Sequence, residues 1–181
     1  MKTSTIKWFG TLVAGWFAVL AAPASAQLST TANGPYYATP SWDQKLTTNR
    51  FVILANWNNE AVLDRETGLV WERSPSISTD WIQASFQCMR LYAGGRSGWR
   101  LPTVQELLSL VDRSVSPGPM LPIGHPFANV ESSVYWSGTV ISGNVNAAWV
   151  VRFNDGLVDA NSKSSLRLAW CVRGGQGPDA Q

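Results

Sequence analysis

The sequence predicts a mixed α+β domain in which two short helices sit among β-hairpins and long loops. Three observations carry that expectation. Apolar residues recur at spacings of three and four in "STDWIQASFQCMRLYAGG" and again in "TVQELLSLV", the period of a helix with one buried face. Short runs rich in β-branched and aromatic residues, such as "FVILANW" and "VYWSGTV", are separated by glycine-bearing turns, as in antiparallel strands. Residues 114–133 hold Pro117, Gly118, Pro119, Pro122, Gly124 and Pro126, so a long irregular segment is expected there, either functional or held by local packing.

The chain opens with Lys2 and Lys7, an uncharged apolar run from Trp8 to Ala22, and Ala24 and Ala26 at an A-x-A cleavage pattern. Residues 1–26 are therefore expected to be a secretory signal peptide, which places the protein in the periplasm or outside the cell. An uncleaved anchor is the competing reading, but the run is short for a bilayer span of roughly 20 residues, and Pro23 closes it. No later apolar stretch is long enough to cross a membrane. Cleavage would leave 155 residues, enough for one domain with its own core. The whole chain has 14 basic and 12 acidic side chains, and losing Lys2 and Lys7 would leave 12 of each. A formal charge of zero argues against a general nucleic-acid or polyanion binder, which carries a basic surplus.

Residues 27–49 are polar and rich in Ser, Thr and Pro, and read as a flexible N-terminal segment. The domain is expected over residues 50–175, with a disordered tail at 176–181. "FVILANW" reads as its first strand, and "AVLDRETGLVWER" as a hairpin with Gly68 free to take positive φ at the turn. Glu60, Asp64, Glu66 and Glu72 cluster around that hairpin and read as a solvated charged edge. Ser78 or Thr79 should cap the first helix, with Asp80 at its positive end. Trp81, Ala84, Cys88 and Leu91 form its buried face, and Gly94 and Gly95 should stop it.

In "GWRLPTVQELLSLVD", Thr103 and Glu106 make a T-x-x-E capping box, each satisfying a backbone donor of the other. Pro102 keeps Leu101 extended and sharpens the entry into the second helix. Trp99 and Leu101 share one face of the lead-in, and Arg100 takes the other. A part-buried arginine demands partners, so Arg100 reads as holding carboxylates or carbonyls beneath a loop rather than as an anion clamp. Trp99, Arg100, Pro102, Thr103 and Glu106 are thus a structural lock. Three strand regions complete the domain: "VYWSGTV", a hairpin "AAWVVRFNDGLVDA" turning at Asn154, Asp155 and Gly156, and a final strand "RLAWCVR".

The chain has two cysteines, Cys88 and Cys171, which in an oxidising compartment are expected to pair as a disulfide. A reactive thiol or a metal site is the alternative, though two cysteines and one histidine are too few for a zinc cluster of the usual spacing. Asn154, Asp155 and Asp159 lack the ligand count of a calcium site. No metal and no cofactor is expected. Eight tryptophans follow residue 26, and most sit in strand or helix patterns where they fill a core. Trp42 and Trp57 lie outside those patterns and are the better candidates for stacking on a sugar ring.

The stretches "AVLDRETGLVWERSP", "GGRSGWRLPTVQELLSLVD" after Cys88, "LPIGHPFANVESSVYWSGT", "AWVVRFNDGLV" and "LAWCVRGG" together resemble the Lcl C-terminal domain family, named for a collagen-like bacterial surface adhesin. The "GWRLPT" turn is also similar to a segment of formylglycine-generating enzymes, which have a C-type-lectin-like fold. The resemblance implies a C-type-lectin-like domain with a twisted antiparallel sheet, and a long disulfide between the first helix and the last strand, matching Cys88 and Cys171. The adhesin's domain is trimeric and binds sulfated glycosaminoglycans, which makes a homo-oligomer one expectation. This chain has no collagen repeat.

Function is weighed among three classes. The favoured one is an exported, non-enzymatic binding module that recognises a glycan or an envelope protein. The second is an enzyme related to the formylglycine-generating group, in which paired cysteines act near the C-terminal part, whereas Cys171 has no such neighbour. The third is a structural component of the envelope. Long loops carried on a rigid scaffold commonly bind, so His125, Asn129, Glu131 and Asp155 are the candidate ligand-binding residues, and no catalytic set is expected. The acidic proline triplets that mark calcium-dependent sugar sites in many lectins are absent.

Overall fold

The computed structural model of the protein describes residues 49–75 and 78–175. The expected leader, the segment before Asn49 with Trp42, and the tail at 176–181 lie outside the described residues. Strands β1 (Phe51–Ile53), β2 (Ala61–Asp64), β3 (Val70–Glu72) and β4 (Ser78–Thr79) precede helices α1 (Trp81–Arg90) and α2 (Val104–Ser109). After the long loop come β5 (Val134–Ile141), β6 (Asn144–Arg152), β7 (Val158–Ser162), β8 (Arg167–Leu168) and β9 (Val172–Arg173). The class is α+β, and among the described residues no helix is long and apolar enough to cross a membrane.

Two sheets form where one was expected. One runs β1-β2-β3-β9 and is antiparallel throughout; the other runs β4-β8-β5-β6-β7 and contains one parallel pair, β5 with β8. The expected final strand "RLAWCVR" is the cause. It splits into β8 in one sheet and β9 in the other, with Ala169, Trp170 and Cys171 crossing between them at 0, 0 and 1% exposure. Consecutive residues of the crossing serve different halves of the core. Trp170 packs with Trp71, Phe127, Tyr135 and Phe153, whereas Cys171 joins Trp57, Trp99 and Trp136.

Other boundaries shift for local reasons. The strand expected in "FVILANW" ends at Ile53, because Ala55–Trp57 turns as a 3-10 segment that carries Trp57 into the core. Ser78 and Thr79 do not cap α1, since their backbone pairs with β8. Asp80 caps it instead, accepting the Gln83 amide at 2.9 Å. The helix ends at Arg90 with Leu91 extended, before the expected glycine stop. Gly94 and Gly95 shape the next turn at φ 64° and 68°, and a Cβ at Gly94 would lie 2.4 Å from the Cβ of Trp57. Only glycine lets that turn close over the indole.

The tryptophans tie elements together as well as filling space. The indole N–H of Trp170 donates to the Glu72 carbonyl, that of Trp136 to Thr79, that of Trp81 to Ser137 and that of Trp99 to Arg96, all at 2.8–2.9 Å. A buried indole usually finds such a partner, although the N–H of the fully buried Trp71 has none among the described residues. Trp57, a candidate for stacking on a sugar ring, is only 1% exposed and lies beneath the guanidinium groups of Arg96 and Arg173. The Cys88–Cys171 disulfide is present, with 5.3 Å between Cα atoms, and it ties α1 to the crossing rather than to a strand.

Candidate functional site

The lock around α2 is built from charge-assisted hydrogen bonds. Thr103 accepts the Glu106 amide at 3.2 Å and Glu106 accepts the Thr103 amide at 2.8 Å, a complete capping box. The same carboxylate takes both ends of the Arg100 guanidinium at 2.7 and 2.8 Å, and Arg100 also donates to the carbonyls of Leu101 and Gly174. Trp99 and Leu101 are buried on the opposite face. A second ion pair closes the first hairpin. Asp64 is fully buried and accepts two hydrogen bonds from Arg50, one from the Glu66 amide and one from the Thr67 hydroxyl. Burial opposes the Arg50 charge, but the hydrogen bond and charge of Asp64, with that of Glu66, raise its pKa further. This arrangement corrects the solvated edge expected for the acidic residues of the hairpin at Asp64, and Glu72 is buried as well, whereas Glu60 is exposed.

The long loop is held by packing. Leu121 and Phe127 are buried in the core around Trp170, and backbone hydrogen bonds link Met120 to Phe153 and Ala128 to Arg73. The structure divides the four candidate ligand residues among different places. His125 lines a cleft of about 760 Å³ with Arg50, Glu66, Arg113 and Ile123. Its ring lies beside Phe127, burial lowers its pKa, and Nδ1 has no hydrogen-bond partner among the described residues. Asn129 is exposed, holds the Ser74 hydroxyl at 2.9 Å and lines a different cleft. Neither cleft is lined by Glu131 or Asp155.

Glu131 is exposed, and its backbone is clasped from both sides by the Tyr135 hydroxyl. Burial pushes that phenol up to about 12, so it stays protonated and can donate. Asp155 is paired with Arg152 and accepts the Leu157 amide. Desolvation is the largest single influence and works against its charge, but the Leu157 amide with Arg152 and Arg113 together outweigh it, and the carboxyl titrates below its ordinary range. Among the described residues no three His, Cys, Asp or Glu side chains gather as metal ligands.

The cleft lined by Asn129 has a volume of about 610 Å³ and is bounded by Asn59, Glu60, Glu72, Arg73, Ser74 and Tyr92, with Leu91, Ala93 and Ala128. Glu72 is only 9% exposed. One carboxyl oxygen accepts the Cys171 amide at 3.3 Å, and among the described residues no group donates to the other. Burial pushes its pKa up to about 7, against the pull of that amide. Glu60 accepts the Gly94 amide at 2.6 Å, and Arg73 donates to the carbonyls of Pro126 and Asn59. Tyr92 is 69% exposed.

The raised Glu72 pKa makes stability depend on pH. Unfolded, the carboxyl releases its proton near 4.5, whereas folded it keeps it to about 7. Between those values the folded state binds more protons, so stability falls as pH rises, by about 3 kcal/mol in all by pH 8. Glu72→Gln keeps an acceptor for the Cys171 amide without the titration. It should match the wild type near pH 4, below the unfolded pKa, and exceed it by about 3 kcal/mol at pH 8 in urea unfolding. Parallel curves for the two proteins would mean that Glu72 is not held protonated.

Comparison with known families places these features in a shared frame. The sequence model of the Lcl C-terminal domain matches residues 60–173. The chain belongs to the Lcl C-terminal domain family. Among curated proteins none matches it. The matched span contains the capping box, both cysteines, the long loop and nearly all of the second cleft, so the lock and that cleft lie within the Lcl domain itself.

Sequence reasoning found the Lcl lock and missed Glu72, Tyr92 and Arg73. A signal for Glu72 was present. Val70 and Glu72, two apart in a strand, share a face, and Val70 belongs to the core, so an alternation reading puts a carboxylate at the edge of the interior. Tyr92 carried none, because its exposure follows from α1 ending at Arg90 rather than at the glycines.

Proposed function

We propose that this protein is an exported, non-enzymatic binding module of the bacterial envelope that recognises a glycan or a protein. The observation that carries the reading is the pairing of a disulfide-braced scaffold with a cleft of mixed polar and apolar lining whose walls are tied together by the backbone. The Arg73 amide is bonded to the Glu60 carbonyl and the Arg73 carbonyl to the Ala128 amide, so the two sides of the cleft are tied through the backbone. Preorganisation of this kind favours binding because little freedom remains to be lost. A disulfide between buried cysteines suits an oxidising compartment. Both cysteines of the chain are in that bridge, which leaves the alternative cysteine-dependent enzyme without a thiol nucleophile.

A different observation favours the protein half of the reading. Ile82, Phe86 and Met89 recur along one side of α1 and are 53, 43 and 56% exposed, an apolar stripe of the kind that marks contact surfaces. The test is expression with the native leader. The protein should be recovered from the periplasm or medium without residues 1–26 and with the bridge oxidised, and it should bind on an array of neutral and sulfated glycans or capture an envelope protein by cross-linking. Retention in the cytoplasm with reduced cysteines would defeat the proposal.

A further inference from the structure

We propose that the cleft between the β2–β3 hairpin, the end of α1 and the Pro126–Asn129 segment is a binding site for a short neutral saccharide, with Tyr92 as the stacking ring and Glu72, Arg73 and Asn129 as the hydroxyl-binding groups. This deepens the binding-module reading and rests on it. The size is right, since small-molecule sites run from about 300 to 1,000 Å³ and this one measures about 610 Å³.

The lining has the chemistry that vicinal hydroxyls require. A sugar hydroxyl both donates and accepts, and planar side chains with two adjacent polar atoms can serve two hydroxyls at once. Glu72 is 91% buried, and one of its oxygens lacks any donor among the described residues although the side chain lines the cleft. That oxygen, on a side chain that lines the cleft, is free to take a hydrogen bond from a ligand hydroxyl. Arg73 uses Nε and one terminal nitrogen on the carbonyls of Pro126 and Asn59, which leaves further N–H groups for a ligand oxygen. The Asn129 amide nitrogen is fixed on Ser74, so the group is held in place by its own partner.

Charge decides the class of saccharide. Glu60 lines the cleft opposite the single cation of its lining, Arg73, whose guanidinium already serves two carbonyls, and the buried Glu72 adds no positive charge. Such a lining has no surplus of cations to hold a sulfated chain and suits an uncharged one. The stacking ring follows from the fold. Trp57, Trp99 and Trp136 are buried in the neighbouring core, whereas Tyr92, on the same cleft, offers its ring to solvent at 69% exposure. Amphipathic rings in that position pack an apolar face on a ligand and keep a hydroxyl for water or a polar contact.

The probes are an array of neutral hexose and N-acetylhexosamine oligosaccharides, with heparin as the charged counterpart, presented to the full exported chain. At least one neutral oligosaccharide should bind with little dependence on salt. Tyr92→Ala and Glu72→Gln should each weaken it about tenfold or more, Asn129→Ala should weaken it less, and Val145→Ala, far out on the exposed surface, should leave it within about twofold. Circular dichroism and the oxidised bridge would show that each variant is folded. A neutral hit that ignores the cleft variants and is lost with His125→Ala overturns this site while leaving the binding-module reading intact. Binding of heparin alone overturns the neutral class. A blank array from folded protein overturns the site together with the glycan half of the proposed function.

Discussion

Replacing Cys88 and Cys171 together by alanine is expected to lower stability by about 4 to 5 kcal/mol. The cysteines are 83 residues apart, so the bridge removes the closure entropy of a long loop from the unfolded chain. The folded state gives nothing back when it is lost. Cys88 is on the buried face of α1 and Cys171 in the buried crossing, at 0 and 1% exposure, so two alanines also leave the space of two sulfur atoms unfilled. Urea unfolding of the double variant against the oxidised wild type measures the difference, and a loss below about 1 kcal/mol would show that the bridge stabilises little. Burial has a kinetic consequence too. A reductant reaches the sulfurs only through opening of α1 or the crossing, so reduction of the native protein should accelerate steeply with urea.

Arg100→Ala should cost about 3 kcal/mol, the largest effect expected from the lock. The side chains of Arg100 and Glu106 are 20 and 14% exposed, and the guanidinium makes four hydrogen bonds, two to the carboxylate and two to carbonyls. Alanine leaves the Glu106 carboxylate desolvated with the Thr103 amide as its remaining partner, and strands the Gly174 carbonyl. Lysine restores the charge without the planar fork, so Arg100→Lys should recover less than half of the loss. A double-mutant cycle with Glu106→Gln isolates the pair. A coupling below about 0.5 kcal/mol would reduce the lock to the capping box alone.

The two effects arise at neighbouring places in the chain for one reason. Arg100 pairs by backbone with Val172, one residue past Cys171, while its side chain reaches Gly174. The bridge and the ion pair thus fasten the same C-terminal stretch, from the crossing through β9, to α1 on one side and to the entry of α2 on the other. That stretch is where the chain passes from one sheet to the other, and it carries few strand hydrogen bonds of its own, since β8 and β9 are two residues each.

Local chemistry was legible in the sequence wherever it is decided within a few residues. Thr103 and Glu106 announce a capping box because both partners lie three apart on one turn. Gly68 and Gly156 mark their hairpins because positive φ is cheap only for glycine, and both are observed there at 71°. The buried face of α1 follows from spacing alone, with Ala84 and Cys88 inside. The pairing of Cys88 with Cys171 needed nothing beyond their number and the expected compartment. Boundaries failed where a distant partner competed. Ser78 and Thr79 have good capping side chains, but β8, some ninety residues away, claimed their backbone.

By itself the sequence determined the α+β class and the lock, which rest on short-range patterns, the disulfide, which follows from the number of cysteines and the expected compartment, and the membership of the Lcl C-terminal domain family, which is a match along residues 60–173. The tertiary structure alone decided that "RLAWCVR" is divided between two sheets, that Trp57 is buried, and that Glu72, Arg73, Asn129 and Tyr92 meet at one cleft. Those outcomes depend on contacts between segments up to a hundred residues apart, such as the Trp170 indole on the Glu72 carbonyl. Burial is a property of the whole assembled core. No window of sequence holds the partners that create it.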